Sequence, residues 1–497
     1  MKSTIIERGS EKMSSIQTYY NYIGGRWVKP KSGEYYENRN PADWEVVIGR
    51  FPLSDKEDAD EAVLSAHEAF KKWSRLLPKE REVYLKRLIS LINENKQRIA
   101  DALCREEGKT LKEALGEPIR SVAECTFMLG EGQRMEGITM PSDRHGIVSV
   151  ARRVPLGVIA AISPWNFPFL TPIRKIIPAL VAGNTVIFKP ANDTPHCGVL
   201  LMELFHEAGF PKGVINMVIG RGSIIGDVIS GNPLVKGVTF TGSTSVGRRI
   251  NQCAASNFTR IQLEMGGKNP AIVVQYSDIE GAAKEITNAA FALSGQRCTS
   301  ISRVIVLREY EEALSIAIAE KMKDLVVGNG MDSEVNIGPV INSVAGEKIM
   351  SYIESAKKDG ARIYVGGSRL TGGIYDKGFY IKPTLITNVT PEMKVAREEI
   401  FGPVLAIITV ENFDEAMNVA NDTEYGLAAA LFSDNLSYIA RFLDEIESGM
   451  AHVNHGTVTD AYMPFGGVKN SSLGAFSKGA TNKDFFTNWK VTYTKFY

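Results

Sequence analysis

Four short apolar runs, each followed by a segment with helical spacing, decide the fold. They are GVIAAIS (157–163), TVIFKP (185–190), GVINMVIG (213–220) and GVTFTGS (237–243). Four strand-then-helix units within roughly 100 residues predict an open parallel sheet covered by helices on both faces. The helix after the second run opens at Pro195, with Asp193 or Thr194 as its expected cap. Such sheets bind ligands at the carboxyl ends of their strands.

The sequence on either side extends this plan. Upstream, residues 54–136 have helical spacing, and residues 137–155 alternate in the manner of a hairpin or an extended arm. Downstream, a second α/β series lies between NPAIVVQ (269–275) and AIITV (406–410). The β-rich tail NWKVTYTKFY (488–497) has no evident partner nearby in the sequence, so we expect it to pair with another subunit.

Composition excludes several classes of protein. The chain has 497 residues, 44% hydrophobic and 23% charged, which is ordinary for a globular protein of about three domains. Lys+Arg and Asp+Glu both number 57, so the chain has no excess of basic residues. We therefore expect neither nucleic acid nor a membrane as a partner. Residues 1–18 lack the apolar core of a secretory signal and are predicted to form a mobile polar extension. The five dispersed cysteines argue against disulfides and metal sites and predict a cytoplasmic protein.

Several loops carry residue types suited to chemistry. Glycine loops follow three strands, in GRGSIIG (220–226), TGSTSVG (241–247) and LEMGGKNP (263–270). Backbone N–H groups in such loops can approach phosphate, although a glycine there is more often only a tight turn. Cys298 lies in the polar loop SGQRCTS beside Arg297, which favours a thiolate; the alternative is a small buried hydrophobe.

Two more polar residues follow predicted strands. Glu264 ends an apolar stretch, which predicts a raised pKa and a general base, although most glutamates cap helices or form salt bridges. Asn166 lies in SPWNFP, where two prolines stiffen the backbone and fix its amide as a donor suited to an oxyanion. The alternative for Asn166 is an ordinary turn.

Seven motifs combine these signals. In chain order they are SPWNFP, FKPANDTP, FTGSTSVG, LEMGGKNP, SGQRCTS, EEIFGPV and PFGGVKNSS. From about Tyr22 to the C-terminus the chain resembles the aldehyde dehydrogenase superfamily. QLEMGGKNP, GQRCTS followed by SRVIV, and KDFFT look most like 2-oxoglutarate semialdehyde (2,5-dioxopentanoate) dehydrogenases, with features of vanillin and benzaldehyde dehydrogenases.

The resemblance implies an α/β fold of the aldehyde dehydrogenase type. A Rossmann-like parallel-sheet domain that binds the dinucleotide would take residues 19–136 and 156–264. A second α/β domain, which is catalytic, would take residues 265–479. A small β oligomerisation arm would take residues 137–155 and 480–497 and assemble homodimers or homotetramers.

The resemblance also implies the chemistry. Cys298 attacks the aldehyde to give a thiohemiacetal, and Asn166 with the Cys298 N–H stabilises the oxyanion. Hydride leaves for the nicotinamide, and Glu264 activates the water that hydrolyses the thioester. Because coenzyme A-acylating relatives usually lack this base, Glu264 favours a free acid as product.

The residues implied for NAD or NADP surround the ends of the predicted strands. Lys189 would approach the adenosine ribose, Ser243 the pyrophosphate and Glu399 the nicotinamide ribose. Many NAD-preferring members have glutamate where this chain has Asn192, so we expect NADP to be tolerated and both cofactors to be used. The full set is Ile162, Ser163, Pro164, Trp165, Lys189, Ala191, Asn192, Gly222, Gly226, Phe240, Gly242, Ser243, Val246, Glu399 and Phe401.

The substrate is less constrained. Arg174 and Arg297 flank the chemistry and suit a substrate carboxylate, which favours a semialdehyde such as 2,5-dioxopentanoate. The other residues expected around the substrate are Phe167, His455, Thr459 and Phe465. Their aromatic character keeps an aromatic aldehyde open as the alternative. A non-catalytic protein that binds the cofactor on the same scaffold is the alternative of another class.

Overall fold

The computed structural model of the protein describes residues 16–496. Its strands are β1 (Asn21–Ile23), β2 (Arg26–Val28), β3 (Tyr35–Asn40), β4 (Asp43–Pro52), β5 (Ile138–Met140), β6 (Ile147–Pro155), β7 (Val158–Ile162), β8 (Thr185–Lys189), β9 (Ile215–Met217), β10 (Val235–Thr241), β11 (Arg260–Glu264), β12 (Asn269–Val273), β13 (Ile301–Leu307), β14 (Arg362–Val365), β15 (Thr384–Thr387), β16 (Val404–Val410), β17 (Ala428–Phe432), β18 (Met450–Val453), β19 (Ser472–Leu473) and β20 (Thr487–Lys495).

The α-helices cover the sheets built from these strands. They are α1 (Lys56–Trp73), α2 (Pro78–Glu94), α3 (Lys96–Glu107), α4 (Leu111–Gln133), α5 (Leu170–Val181), α6 (Pro195–Glu207), α7 (Asp227–Ser230), α8 (Thr244–Ala255), α9 (Ile279–Phe291), α10 (Arg308–Lys323), α11 (Ser343–Lys358), α12 (Lys394–Arg397), α13 (Phe413–Asn421), α14 (Leu436–Glu445) and α15 (Asn482–Phe486). None of the helices in residues 16–496 is both long enough and apolar enough to cross a membrane.

The four predicted strand-then-helix units form the centre of the first sheet. Its strand order is β19-β11-β10-β7-β8-β9-β1-β2, and the strands from β11 to β9 are parallel. Every residue of β7 and β8 is buried, as expected for parallel strands covered on both faces. The carboxyl ends of β7, β8, β10 and β11 therefore open onto the same edge of the sheet.

The second α/β series forms a separate sheet with the order β14-β15-β16-β13-β12-β17-β18. All its neighbours are parallel except β14, which runs antiparallel to β15. The first sheet also takes in β19, a two-residue strand that lies more than 200 residues beyond β11 in the chain and pairs with it antiparallel. This strand brings residues of the C-terminal region to the end of β11.

The C-terminal tail has a partner within its own chain. Strand β20 pairs antiparallel with β6, from Thr487 opposite Pro155 to Lys495 opposite Ile147, and β5 completes a three-stranded sheet. The tail is therefore paired without another subunit, and pairing of its outer edge with a second subunit stays a prediction. Its partner β6 lies about 340 residues earlier in the chain, so the sequence next to the tail gives no sign of the pairing. Residues 137–155 do form the predicted extended arm.

The beginning of the described chain is already hydrogen-bonded. The Arg50 N–H donates to the Gln17 carbonyl (2.8 Å), and Thr18 bridges to Arg50. Residues 17 and 18 of the predicted extension are therefore tied to β4, and residues 1–15, on which the rest of that prediction falls, lie outside the described residues.

Helix α6 is capped differently from the prediction. Thr194 stands at its N-cap but its side chain makes no capping bond, and Asp193 instead accepts from the Asn342 amide (3.0 Å). The buried Glu106 carboxylate accepts from the N–H groups of His196 and Cys197, both at 2.7 Å. A carboxylate from α3 thus accepts the hydrogen bonds of the free N–H groups in the first turn of α6.

Candidate active site

Two cavities meet at Cys298. The larger, of about 500 Å³, opens at the carboxyl ends of the parallel strands of the first sheet. The smaller, of about 120 Å³, lies on the other side of the cysteine. Asn166, Thr241 and Cys298 line both cavities. A reactant in the smaller cavity and a cofactor in the larger one would therefore share Cys298 as their meeting point.

Hydrogen bonds to backbone carbonyl groups hold the loop that carries Cys298. Leu293 and Ser294 take positive φ angles of 52° and 57°, which turn the chain sharply after α9. The Asn269 amide donates to the Cys298 carbonyl (2.7 Å), and the Asn166 amide donates to the Gln296 carbonyl (2.9 Å). The predicted nucleophile and oxyanion donor are therefore tied to the same turn.

The Cys298 thiol is held protonated in the protein without a ligand. Desolvation by the surrounding protein raises its pKa to about 12, and the carboxylates of Glu399 and Glu264 add to the rise. Arg174 and Arg297 lower the pKa, but by less. Arg297 therefore favours the thiolate, as predicted, but desolvation outweighs its charge and keeps the thiol protonated in this state.

Glu264 has the environment that a general base needs. It ends β11, is only 3% exposed and lines the smaller cavity. Burial raises the pKa of its carboxyl, as predicted, while the Ser472 hydroxyl (2.7 Å) and the charge of Lys175 oppose the rise. Burial in turn lowers the pKa of the neighbouring Lys175 amine. Glu264 thus exchanges protons nearer to neutral pH than an exposed glutamate does.

A buried ion pair between Lys109 and Glu117 holds the backbone of Asn166, and the sequence did not predict it. The Lys109 ammonium donates to the Asn166 carbonyl (2.7 Å) and to Glu117 (2.5 Å), and it lies over the Phe167 ring. Glu117 also accepts from the N–H groups at the start of α5. The only sequence signal was a charged residue placed among apolar helical positions.

The larger cavity collects most of the residues predicted for the cofactor. Ala191 and Asn192 are not on its surface, although the Lys189 amine donates to the Asn192 side-chain oxygen (3.1 Å). The predicted residues that line it are Ile162, Ser163, Pro164, Trp165, Lys189, Gly222, Gly226, Phe240, Gly242, Ser243, Val246, Glu399 and Phe401. Lining residues that the sequence analysis missed include Ser223, Asp227, Arg249, Met265 and Lys348.

The chemistry of this lining fits a dinucleotide. Ser243 caps α8, a 12-residue helix whose N-terminus borders the cavity and suits a pyrophosphate. One oxygen of the Glu399 carboxylate accepts from the Gly267 N–H (3.0 Å). Trp165 and Phe401 meet edge to face with centroids 5.4 Å apart, and Phe401 is held at a positive φ of 59°. The cavity thus offers a helix N-terminus, a carboxylate and aromatic walls.

The smaller cavity holds five of the six predicted substrate residues. Phe167, Arg174, Arg297, Thr459 and Phe465 line it. The structure does not bring His455 to this cavity, because its ring packs edge-on against His452 with centroids 5.1 Å apart.

A third arginine, Arg120 on α4, joins this wall. Its guanidinium donates to the Thr459 carbonyl (2.9 Å) and hydroxyl (3.3 Å). Arg174 is bound by two hydrogen bonds to Glu124, at 2.7 and 3.0 Å. Arg297 donates to the Ala289 carbonyl (2.8 Å). Glu264 is the single carboxylate among the described lining residues, so the cavity wall carries more cationic than anionic side chains even with Arg174 paired to Glu124.

Comparisons with known proteins agree with this geometry. The sequence profile of the Aldehyde dehydrogenase family matches residues 27–492. The chain is 42% identical over 479 residues to the alpha-ketoglutaric semialdehyde dehydrogenase of Bacillus subtilis (strain 168), covering 96% of this chain and 98% of that protein. This similarity confirms the predicted resemblance to 2-oxoglutarate semialdehyde dehydrogenases.

Solved structures match over nearly the whole chain. An NADP dependent enzyme of E. coli superposes with a TM-score of 0.93 at 32% identity, covering 97% of this chain and 98% of that one. A betaine aldehyde dehydrogenase from Staphylococcus aureus in complex with NAD+ superposes with a TM-score of 0.93 at 34% identity, covering 96% and 94%. The chain belongs to the aldehyde dehydrogenase family.

Proposed function

We propose that this aldehyde dehydrogenase oxidises a carboxylated semialdehyde, such as 2,5-dioxopentanoate, to the corresponding acid with NAD or NADP. The observation that carries the substrate class is the cationic wall of the smaller cavity. Arg120, Arg174 and Arg297 line it beside Cys298, and Glu264 is the only carboxylate among the described lining residues. A substrate carboxylate balances this charge with bidentate hydrogen bonds. The name of the Bacillus subtilis relative supports the same class.

The residues of the chain supply every group except the hydride acceptor. The Cys298 thiol first gives its proton to solvent, and the thiolate sulfur then bonds to the aldehyde carbon as the carbonyl electron pair moves onto oxygen. This oxyanion accepts hydrogen bonds from the Asn166 amide and the Cys298 N–H. Nicotinamide held in the larger cavity, beside Glu399 and Phe401, would supply the hydride acceptor, so that Cys298 retains the oxidised carbon as a thioester. Glu264 takes a proton from water as the water oxygen bonds to the thioester carbon. The carbon–sulfur bond then breaks, which releases the acid and the Cys298 thiolate.

The three arginines differ in how firmly they are engaged. Two donors of Arg174 are committed to Glu124, so this pair forms a fixed wall. Arg120 is bound by one nitrogen to Thr459, and Arg297 by one nitrogen to a backbone carbonyl. We therefore assign the direct carboxylate contacts chiefly to Arg120 and Arg297, with Arg174 contributing its charge and its position.

Both cofactors fit the residues around Lys189. Asn192 accepts from Lys189 and brings no negative charge that would repel a 2′-phosphate. Burial lowers the pKa of the Lys189 amine to about 8, so a phosphate beside it would favour the charged form. The solved relatives include one described as NADP dependent and one in complex with NAD+. The proposal therefore includes reduction of both cofactors.

The test is the absorbance of the reduced nicotinamide with a panel of aldehydes and with NAD and NADP in parallel. We expect 2,5-dioxopentanoate and succinic semialdehyde to be preferred over benzaldehyde and vanillin. A preference for the aromatic pair would replace the proposal by an aromatic aldehyde dehydrogenase, which Phe167 and Phe465 would then serve. Cofactor binding without reduction of either cofactor by any aldehyde would favour the non-catalytic alternative.

The variant Arg120→Met tests the substrate class within the same panel. Loss of a hydrogen bond to a charged group costs about 1.5–3 kcal/mol, so the KM for the carboxylated aldehydes should rise by roughly tenfold or more. The KM for benzaldehyde should stay within about twofold, since no carboxylate is bound. Arg98→Met, which removes an exposed arginine paired with Glu203, is the control. Equal changes for both aldehyde classes would contradict the assignment.

We also propose that the chain assembles through its three-stranded arm and works in a reducing compartment such as the cytoplasm. The outer strand β20 exposes Trp489, Val491 and Tyr493 on one face, and β5 exposes Ile138 and Met140. A row of exposed apolar side chains of this kind suits a second copy of the chain, as a dimer or tetramer. The five cysteines are free thiols.

A further inference from the structure

The backbone register places a serine directly opposite the general base. Strands β11 and β19 are antiparallel, and Glu264 is the register partner of Ser472. The Ser472 Oγ lies 2.7 Å from the Glu264 Oε2. The pairing of the two strands brings this hydroxyl to the carboxylate across more than 200 residues of sequence. Ser472 belongs to the motif PFGGVKNSS, whose serines the proposed chemistry has not used.

The hydrogen bonds around Ser472 fix the direction of its proton. The Gly467 N–H donates to the Ser472 Oγ at 2.7 Å, so this oxygen already acts as an acceptor. A hydroxyl has a single proton to give. That proton is therefore directed to Glu264, which acts as the acceptor of the bond. A hydroxyl held as a donor in this way favours the ionised carboxylate over the protonated one.

The other groups that face Glu264 come from α5, from the cysteine loop and from the backbone of Ser477. Arg174 and Lys175 of α5 favour the charged form of Glu264, and a Cys298 thiolate would disfavour it. The Lys175 amine donates to the Thr239 hydroxyl (3.2 Å). In the described chain, Ser472 provides the only side-chain hydrogen bond to Glu264. Glu264 is only 3% exposed, so bulk water compensates little for the loss of this bond, although the smaller cavity that Glu264 lines admits the hydrolytic water.

We propose that Ser472 is a positioning residue, whose hydroxyl holds one oxygen of the Glu264 carboxylate and leaves the other to take the proton of the hydrolytic water. The inference rests on the proposed function, since Glu264 must act as the base. Ser472 touches neither the substrate nor the cofactor cavity. It therefore acts through Glu264 on hydrolysis of the thioester and leaves attack by Cys298 and hydride transfer untouched.

The test is a pre-steady-state measurement of nicotinamide reduction by Ser472→Ala with 2,5-dioxopentanoate over a range of pH. The first turnover should form reduced cofactor at the wild-type rate, and later turnovers should be slower by about tenfold near neutral pH, as expected when a hydrogen bond to a charged group is lost. The deficit should narrow at alkaline pH, where Glu264 ionises without help. Ser472→Thr, which keeps the hydroxyl, should restore the steady rate.

Ser315→Ala is the matched control, because it removes a buried hydroxyl on α10 that has no hydrogen-bond partner among the described residues. If Ser472→Ala does not fold, Ser472→Gly removes the same hydroxyl and keeps the backbone pairing. The inference would be overturned if the later turnovers of Ser472→Ala had the wild-type dependence on pH, or if the first and later turnovers were slowed equally at every pH. Absence of nicotinamide reduction by the wild-type protein would instead overturn the proposed function.

Discussion

Cys298 gains reactivity only when something removes its proton. Desolvation, with Glu399 and Glu264 nearby, raises the pKa of its thiol to about 12, and the two adjacent arginines offset part of this. The residue was recognisable from its polar loop, SGQRCTS, but its protonation state was not. The sequence shows Arg297 as a neighbour, whereas the carboxylates reach the sulfur from β11 and from the loop after α12. The effect of Arg297 on the thiol pKa has the predicted direction, but the burial that outweighs it is not visible along the chain.

The rate of the first turnover should depend on pH. A thiol whose pKa is raised forms more thiolate as the pH rises, so the rate of the first turnover should increase with pH between about 6 and 9. Stopped-flow absorbance of the reduced nicotinamide measures it at saturating cofactor and aldehyde. A flat profile over this range would show that cofactor or substrate binding has already made the thiolate. The variant Cys298→Ala, which has no thiol, gives the baseline.

Arg174 shows the same limit of sequence reasoning. Its spacing from Asn166 placed it correctly beside the substrate cavity. Its pairing with Glu124, on a helix 50 residues earlier, was not visible. Arg120 was missed for the same reason, since only the packing of α4 against the 457–465 loop brings it to the cavity.

At the scale of elements, the apolar runs were informative and the helix ends were not. Strands β7 and β8 are buried on both faces, so their sequences are continuously apolar and easily recognised. Helix α6 begins where Pro195 predicts, but its first N–H groups bind Glu106 from α3. Thr194 does stand at the N-cap, as one of the two predicted candidates, but the capping bonds come from a distant side chain that leaves no local signature.

The buried ion pair of Lys109 and Glu117 should contribute several kcal/mol to the free energy of unfolding. Lys109→Met leaves Glu117 and Glu107 buried without their cation, and breaking a buried pair in this way costs about 3–5 kcal/mol. The free energy of unfolding from urea denaturation should fall by this amount, and the first turnover should slow because the Asn166 carbonyl loses its anchor. Lys71→Met, at an exposed pair with Glu68, should leave both unchanged. If Lys109→Met unfolds with the same free energy as the wild type, the ion pair does not stabilise the fold.

At the scale of the whole molecule, two parallel sheets and an arm build a site that no single segment contains. The proposed nucleophile comes from the loop before β13, the proposed base from β11 and the proposed oxyanion donor from the loop after β7. The order of the motifs predicted this assembly through a family resemblance. The local pattern alone predicted the sheets but not the closure of β19 onto β11 or of β20 onto β6. The division into domains at 136, 155, 264 and 479 remains a prediction.

The arm provides a prediction about assembly. The double variant Val491→Glu and Tyr493→Glu places two charges on the exposed apolar face of β20, so association through that face should weaken. Light scattering after size-exclusion chromatography should show a smaller particle than the wild-type dimer or tetramer. Val344→Glu, at a highly exposed position on α11, is the control. An unchanged mass for the double variant would place the interface elsewhere.

The measurement that tests the central claim most directly is the intact mass of Glu264→Gln after reaction with 2,5-dioxopentanoate and NADP. Without the base, the first turnover should form one equivalent of reduced cofactor and leave the enzyme acylated, because hydrolysis of the thioester is lost. We predict a mass increase equal to one acyl group, which peptide mapping assigns to Cys298. An unmodified protein, or an acyl group on another residue, would contradict the account.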